Sequence, residues 1–355
     1  MKNAKQMAYL RQLCCLGLGK DIVIPEFLKA VKTVIPSNNN LATKVGEDGI
    51  PCEIIIDMFS PELAPIALEL GPKLLYTPQR LGFFNSCYKQ QQVITHEIYS
   101  GFKFYGSDFY HLVWIPCEHH YFFQVPVFQN HTLVEIVWLF RSRSHEPFTV
   151  ADQKLGVQLS PYIAHALQKR TDTDTNYVNS GHSSLLVTDS HGAIIYLGRE
   201  AQRLLTLATQ LTSYRLGMSS PFKLPPALLK LCRNLDSIFR GKEALPPVYT
   251  ITNPSGRFIF RAYWLDKQNK EPGGLIGIMI EHQEPLSLHL LRNLQQEPLS
   301  VTQREVALML ALGHSHVHIG QHLHIKLTTV RDHIQKIHTK LDIHNSDELK
   351  SHLTQ

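Results

Sequence analysis

Between positions 326 and 340 of this 355-residue chain stand four basic residues, Lys326, Arg331, Lys336 and Lys340, against the single acid Asp332. Thr328, Thr329 and Gln335 lie among them and both donate and accept hydrogen bonds. The fork of Arg331 suits the two acceptors on the major-groove edge of guanine. Asp332 can accept from a cytosine amino group, and Gln335 can pair with adenine. Lys336 is equipped for a base edge or a phosphate. Asp332 has a second use open to it, an i, i+4 ion pair with Lys336.

Such chemistry needs a scaffold that turns these side chains one way. Val330, Ile334, Ile337 and Leu341 recur at i, i+4, i+7 and i+11, the stripe of a helix with one buried face. Its opposite face holds Thr328, Arg331, Asp332, Gln335, Lys336 and Thr339. Upstream, Val306, Met309 and Leu310 predict a helix over 302–312, stopped by Gly313. Ser315 reads as the N-cap of a second short helix that ends at Leu323 and buries Ile319 and Leu323. A basic, hydrogen-bonding helix set after a tight turn suits the major groove. A three-helix bundle whose charges serve only solubility has the same spacing, so periodicity alone leaves both open.

The letters narrow the choice. The run from Leu299 to Leu353 resembles the LuxR-type helix-turn-helix, the effector domain of LuxR/NarL/FixJ regulators. The resemblance is carried by Leu299-Ser300, Arg304-Glu305-Val306, Ala311, Gly313, Ser315, Ile319, Leu323 and Ile325. It continues through Thr329-Val330-Arg331, His333, Ile337, Lys340-Leu341 and Glu348-Leu349. It implies that Thr329 and Lys340 touch phosphates, positioning the helix without reading sequence. Several positions depart from the family pattern. Thr302-Gln303 replaces an Arg-Glu pair, His318 a Glu, Gly320 an Ala, Ser346 an Arg, and Lys326 a capping Ser or Thr. A lost cap costs about 0.5–2 kcal/mol and a mid-helix glycine about 1 kcal/mol. Thr328 is the expected substitute cap.

Two further units are expected upstream. Lys169–His182 is polar and reads as a linker or loop. From Ser183 to Glu284, Leu185-Leu186-Val187 and Ala193–Leu197 flank the turn Asp189-Ser190-His191-Gly192. The helical run from Gly198 to Ala208 follows, and Arg257–Leu265 and Leu275–Ile280 form a later hairpin around Gly273-Gly274. This order resembles a PAS domain, with Asp189, Gly192, Ala201, Leu204 and Leu205 matching its opening and Gly198 replacing an Asn. Asp21–Gln168 opens with a helix-like segment, Ile24–Ile35, and carries a helix at Pro61–Leu70. Strands are expected at Leu112–Ile115, Tyr121–Val127 and Leu133–Arg141. Its ending, Phe148-Thr149 and Asp152 before a helix over Ala151–Leu167, resembles the tail of a GAF-type sensor domain. Phe102, Phe104, Tyr105, Phe109, Tyr110 and Trp114 suit either a core or a pocket lining. Pro285–Pro298 reads as an amphipathic connector, with Leu288, Leu291 and Leu294 at helical spacing.

The expected fold is therefore two α+β units, each an antiparallel sheet with helices, followed by an all-α four-helix domain. The boundaries fall at 1–175 (GAF-like), 176–285 (PAS-like) and 286–355 (LuxR-type).

Composition sets outer limits. Hydrophobic residues make up 43%, enough for real cores, and a net charge of +5 with pI near 8.8 permits a polyanionic partner without demanding one. Cys14, Cys15, Cys52, Cys87, Cys117 and Cys232 show no paired zinc spacing, consistent with a reducing compartment. The apolar patch Leu10–Leu18 contains Arg11 and is too short for a bilayer span or a convincing leader. No nucleophile, phosphate-cradling or metal motif emerges, His119-His120 with Glu53, Asp57 and Glu118 included, and no phospho-acceptor domain opens the chain. Nine of the 20 histidines lie between His314 and His352, and His314, His318 and His322 follow i, i+4, i+8. Tolerated surface residues, a pH-dependent affinity and a metal clamp are the three explanations.

The resemblances together imply a cytoplasmic, non-enzymatic transcription regulator that binds double-stranded DNA in a sequence-specific way. A homodimer is expected, with half-sites about one helical turn apart, and RNA polymerase is a candidate partner. The upstream units would answer to a ligand or partner; any small-molecule cofactor is unidentified, and no metal or membrane is expected. The alternative is a sensor or scaffold whose helical tail contacts protein. Salt-sensitive DNA binding separates the two.

Overall fold

A computed structural model describes residues 2–46, 49, 51–56, 71, 77–89, 93–100, 103–168, 176–209, 214–215, 224–253, 255–265 and 274–354. The helix expected at Pro61–Leu70, and Phe102 and Gly273, lie outside the described residues.

The first sheet is antiparallel: β1 (Leu41–Val45), β2 (Pro51–Ile56), β3 (Ile94–Thr95), β4 (Tyr121–Gln129) and β5 (Thr132–Arg141). Their order is β3-β4-β5-β1-β2, with Tyr214–Arg215 (β8) added beside β2. Alternation assigns the faces. Phe123, Val125, Val137 and Leu139 face α1 (Lys2–Cys15), α2 (Lys20–Ala30) and α5 (Val150–Ala166). Phe122, Ile136, Trp138 and Phe140 face α3 (Pro78–Lys89) and the segment around Trp114. A short helix, α4 (His96–Ser100), follows β3. Gly156 lets α5 lie close on β4, since a Cβ there would stand 2.8 Å from the Phe123 ring. At the start of α5, Thr149 Oγ1 accepts from Asp152 N while the Asp152 carboxylate accepts from Thr149 N, a capping box.

The second sheet repeats this plan. β6 (Tyr177–Asp189), β7 (Ile194–Leu197), β9 (Val248–Asn253), β10 (Gly256–Leu265) and β11 (Leu275–Pro285) run in the order β7-β6-β11-β10-β9. Counted from each unit's own first strand, this is the order of the first sheet read from the other edge. α6 (Arg199–Ala208) and α7 (Pro226–Phe239) cover one face through Ala201, Leu204, Leu205, Leu228 and Leu231. At the β6–β7 turn, Asp189 Oδ1 accepts from His191 N at 2.9 Å and Ala193 N at 2.8 Å. Gly192 supplies the positive φ of +85° that this turn needs.

Two expectations fail here. Leu112–Ile115 is no strand but part of a π-helical turn, Tyr110–Trp114. Tyr110, Val113 and Trp114 point into the aromatic core while Leu112 and Ile115 are exposed, which is helical spacing in a run too short to show it. The polar stretch Lys169–His182 is not linker throughout: 177–182 forms the start of β6, paired to the end of β11. Backbone pairing holds it in place although its side chains are mostly polar.

After β11 the chain enters the connector α8 (Leu286–Asn293), then α9 (Val301–Ala311), α10 (His316–Leu323), α11 (Leu327–Leu341) and α12 (Ser346–Thr354). Leu288, Leu291 and Leu294 are buried, as their spacing predicts. One apolar core runs without a break from α1, α2 and α5 through α8 to Leu299, Val306, Ile337 and Leu353.

Candidate nucleic-acid interface

The four C-terminal helices form where caps and stripes place them. Ser300 caps α9 by accepting from Gln303 N at 3.3 Å, and Gln303 Oε1 answers by accepting from Ser300 N at 3.0 Å. Ser315 caps α10 by accepting from His318 N at 3.2 Å. His324 closes α10 in a left-handed conformation, φ 54°. At Gly320, an added Cβ would stand 3.0 Å from Ile325 O, so the absent side chain lets α10 and the turn approach closely. This glycine therefore has a packing use that offsets its poor helix propensity.

α11 buries Val330, Ile334 and Ile337 and leaves Leu341 half-buried against the same core. Its outer face exposes Thr328, Arg331, Asp332, Gln335 and Lys336, while Thr329 is half-buried. The side chains of Arg331, Asp332, Gln335 and Lys336 hold no hydrogen bond or ion pair with any described residue, the i, i+4 pair between Asp332 and Lys336 included. Of these four residues, Gln335 takes part in a side-chain bond only through its backbone O, which accepts from Thr339 Oγ1 at 2.9 Å. Three donors and one acceptor-only group are thus free to meet a ligand on one side of one helix.

The N-cap of α11 is Lys326, without a side-chain cap. Thr328 does not substitute for it. The first intrahelical bond runs from Val330 N to Lys326 O, which places Thr328 inside the first turn, past the cap position. The N-terminal N–H groups are left without a side-chain acceptor, an arrangement that favours an anion at this end.

Lys340 is placed differently from the rest. Its Nζ donates to Gln303 Oε1 at 2.9 Å and to Pro298 O at 3.2 Å, tying the end of α11 to the start of α9. Gln303 looked like a mere departure from a family pair, yet it is both the partner in the α9 cap and the acceptor for Lys340. No local sequence signal links positions 303 and 340.

A groove of about 450 Å³ runs along one flank of α11, bounded by Arg331 and Gln335 and by three imidazoles, His316, His338 and His344. Helical spacing from Arg331 through Gln335 points to His338; His316 and His344 arrive from other segments and have no such signal. His314 stands just before the N-cap of α10; its ring stacks on that of His318 at 4.9 Å, and the rings of His318 and His322 stack at 6.3 Å. Burial, with the neighbouring charges of His318 and His322, pushes the pKa of His314 below the usual imidazole value. Among the described residues, no group of three or more His, Cys, Asp or Glu is gathered to hold a metal ion, so the imidazole line lacks a metal clamp's geometry. None of the described helices is long and apolar enough to cross a membrane.

Residues 297–353 match the family described as "Bacterial regulatory proteins, luxR family". This C-terminal segment is a LuxR-family helix-turn-helix domain. No curated protein matches the chain. A solved structure titled "Sensor region of a sensor histidine kinase" aligns over 70% of this chain and 85% of that one, at 9% identity and a TM-score of 0.19. At that score the likeness carries no argument about the upstream units.

Proposed function

We propose that the chain is a sequence-specific DNA-binding transcription regulator whose upstream units, GAF-like over 1–175 and PAS-like over 176–285, govern a reader over 286–355. The observation that carries this is the outer face of α11 inside the luxR-family match: Arg331, Asp332, Gln335 and Lys336 are exposed and unengaged above an intact buried stripe. Arg331, Asp332 and Gln335 read base edges, and Lys336 serves a base or a phosphate. Thr328, Thr329 and the uncapped helix start approach the backbone.

The common strand order of the two sheets supports treating the upstream units as a pair of like modules. A ligand or partner bound there acts on the reader through the shared core and the connector α8. A single short helix gives limited affinity, so the functional form is a homodimer on two half-sites, with RNA polymerase as a further partner. Capture of bound DNA from cells, followed by binding of recovered and scrambled duplexes to the full chain, tests the proposal. Preference for the recovered sequences supports it. Equal, salt-insensitive binding overturns it in favour of a scaffold whose helical tail contacts protein.

A further inference from the structure

His316, His338 and His344 come from three different segments, the first turn of α10, the last turn of α11 and the turn before α12, and still line one groove. The fixed charges on its walls are Arg331 and Asp342. His338 Nε2 is enclosed and has no hydrogen-bond partner. His316 and His344 are exposed. The imidazole line His314–His318–His322 is a separate feature. At about 100° per residue, His316 points some 160° around α10 from His318, whose ring stacks on that of His314 just before the helix.

We propose that this groove seats the DNA phosphate backbone and that protonation of His316, His338 and His344 sets the strength of that hold. The proposal rests on α11 being the DNA-reading helix and deepens that assignment. Arg331 and Gln335 belong both to the exposed reading face and to the groove wall. A duplex that takes this face into its major groove must lay one strand of phosphates along a flank of the helix, and this flank is open.

The chemistry of the walls suits a phosphodiester. A neutral imidazole donates one hydrogen bond, whereas a protonated one donates from both nitrogens and brings a positive charge. Each cation that neutralises a phosphate releases counterions, so added protons steepen the salt dependence of binding. The charged groups facing these rings are Arg331, Asp342 and, from α12, Glu348, whose Oε2 accepts the His344 backbone N–H at 2.7 Å. A bound phosphate is the anion that a cationic ring would pair with.

The test uses the full chain and a short duplex of random sequence, because phosphate contacts need no operator. Affinity is measured by fluorescence anisotropy across about 50–200 mM salt, at about pH 7.5 and pH 6. On acidification the log–log salt slope should steepen by about 1–2, and affinity near ~100 mM salt should tighten about tenfold. In His316→Gln/His344→Gln, which keeps the enclosed His338 and is checked by its melting curve, most of that difference should disappear. His314→Gln/His318→Gln/His322→Gln should retain it. A parental slope that is the same at both pH values overturns the proposal, as does a full response in the groove variant or a lost response in the line variant. Absence of duplex binding at either pH would instead sink the assignment of α11 as a DNA reader.

Discussion

Arg292 on the connector α8 holds both carboxylate oxygens of Glu26 on α2, Nε donating at 3.1 Å and Nη2 at 2.7 Å, across 266 positions of sequence. Its Nη1 also bonds Glu284 at the end of β11. Tyr9 of α1 donates to Glu26 at 2.9 Å. His289 bonds Glu284 at 2.8 Å, and Asn293 donates to Leu353 O of α12 at 2.7 Å. The first sheet's helices, the end of the second sheet and the last helix of the reader therefore meet around one connector.

This junction should be worth more than a surface ion pair. Arg292→Met leaves Glu26 and the nearly buried Glu284 without their shared cation, at a cost of about 3 kcal/mol. Glu26→Gln keeps acceptor capacity for Tyr9 and leaves Arg292 with Glu284, so it should cost about 1 kcal/mol. Burial pushes the Glu26 carboxyl up, but the bonds and charge of Arg292, helped by Tyr9, outweigh it and hold the pKa below the usual value. A depressed carboxylate contributes stability that is present above the unfolded value, ~4.3, and lost as pH falls through the folded one. Denaturation of parent and Arg292→Met should thus differ at neutral pH and converge in acid. A constant gap would show that Arg292 acts through packing alone.

Glu135 makes the opposite prediction. On β5 it is buried beside Lys20 and Lys44 and beside two more acids, Glu53 and Asp21. Burial pushes its pKa up to about 7, with the lysines lowering it and the acids raising it. Between the unfolded carboxylate value and about pH 7 the folded chain holds a proton that the unfolded chain has released. Stability therefore falls as pH rises through that window. Glu135→Gln should stabilise the protein at pH 8 by on the order of 3 kcal/mol, and much less at pH 5. Thermal melts at both pH values check this, and equal gains would place the effect in shape, not charge.

Arg331→Ala should reduce discrimination between a preferred duplex and a scrambled one by about 1–3 kcal/mol, with little change in melting temperature. The expectation follows from its exposure and lack of partners. Competition binding of the two duplexes is the measurement. Equal losses on both sequences would move Arg331 from base reading to the phosphate groove.

Much of this architecture is local in origin and so was legible in the sequence. The stripe Val330–Ile334–Ile337, the cap at Ser315 and the Asp189–Gly192 turn each fix their own element within a few residues. Failures occur where distant packing decides. Tyr110–Trp114 coils because its rings have an aromatic core to enter, and 177–182 is strand because β11 lies beside it. α1 does carry a helical stripe, Met7, Leu10, Leu13 and Cys14, which is missed when its apolar patch is weighed only as a leader or span. In the candidate site, the exposed face of α11 is periodic and readable. The junction of Arg292 with Glu26 and the convergence of His316 with His344 depend on chain segments that no spacing rule relates.

Lys340 offers the sharpest contrast between resemblance and observed geometry. The resemblance implies a phosphate contact, whereas its Nζ donates to Gln303 Oε1 and Pro298 O. Gln303 Oε1 also accepts from Ser300 N, so one oxygen joins the α9 cap to the end of α11. Lys340→Ala and Gln303→Ala should each destabilise by about 1 kcal/mol. The double variant should cost less than the sum by about 0.5 kcal/mol or more, since both remove the same bond. Strict additivity, with a salt slope for DNA binding reduced by about 1 in Lys340→Ala alone, would return Lys340 to the phosphates. Coupled stability losses with an unchanged slope make it the brace that sets the angle of α11 against α9.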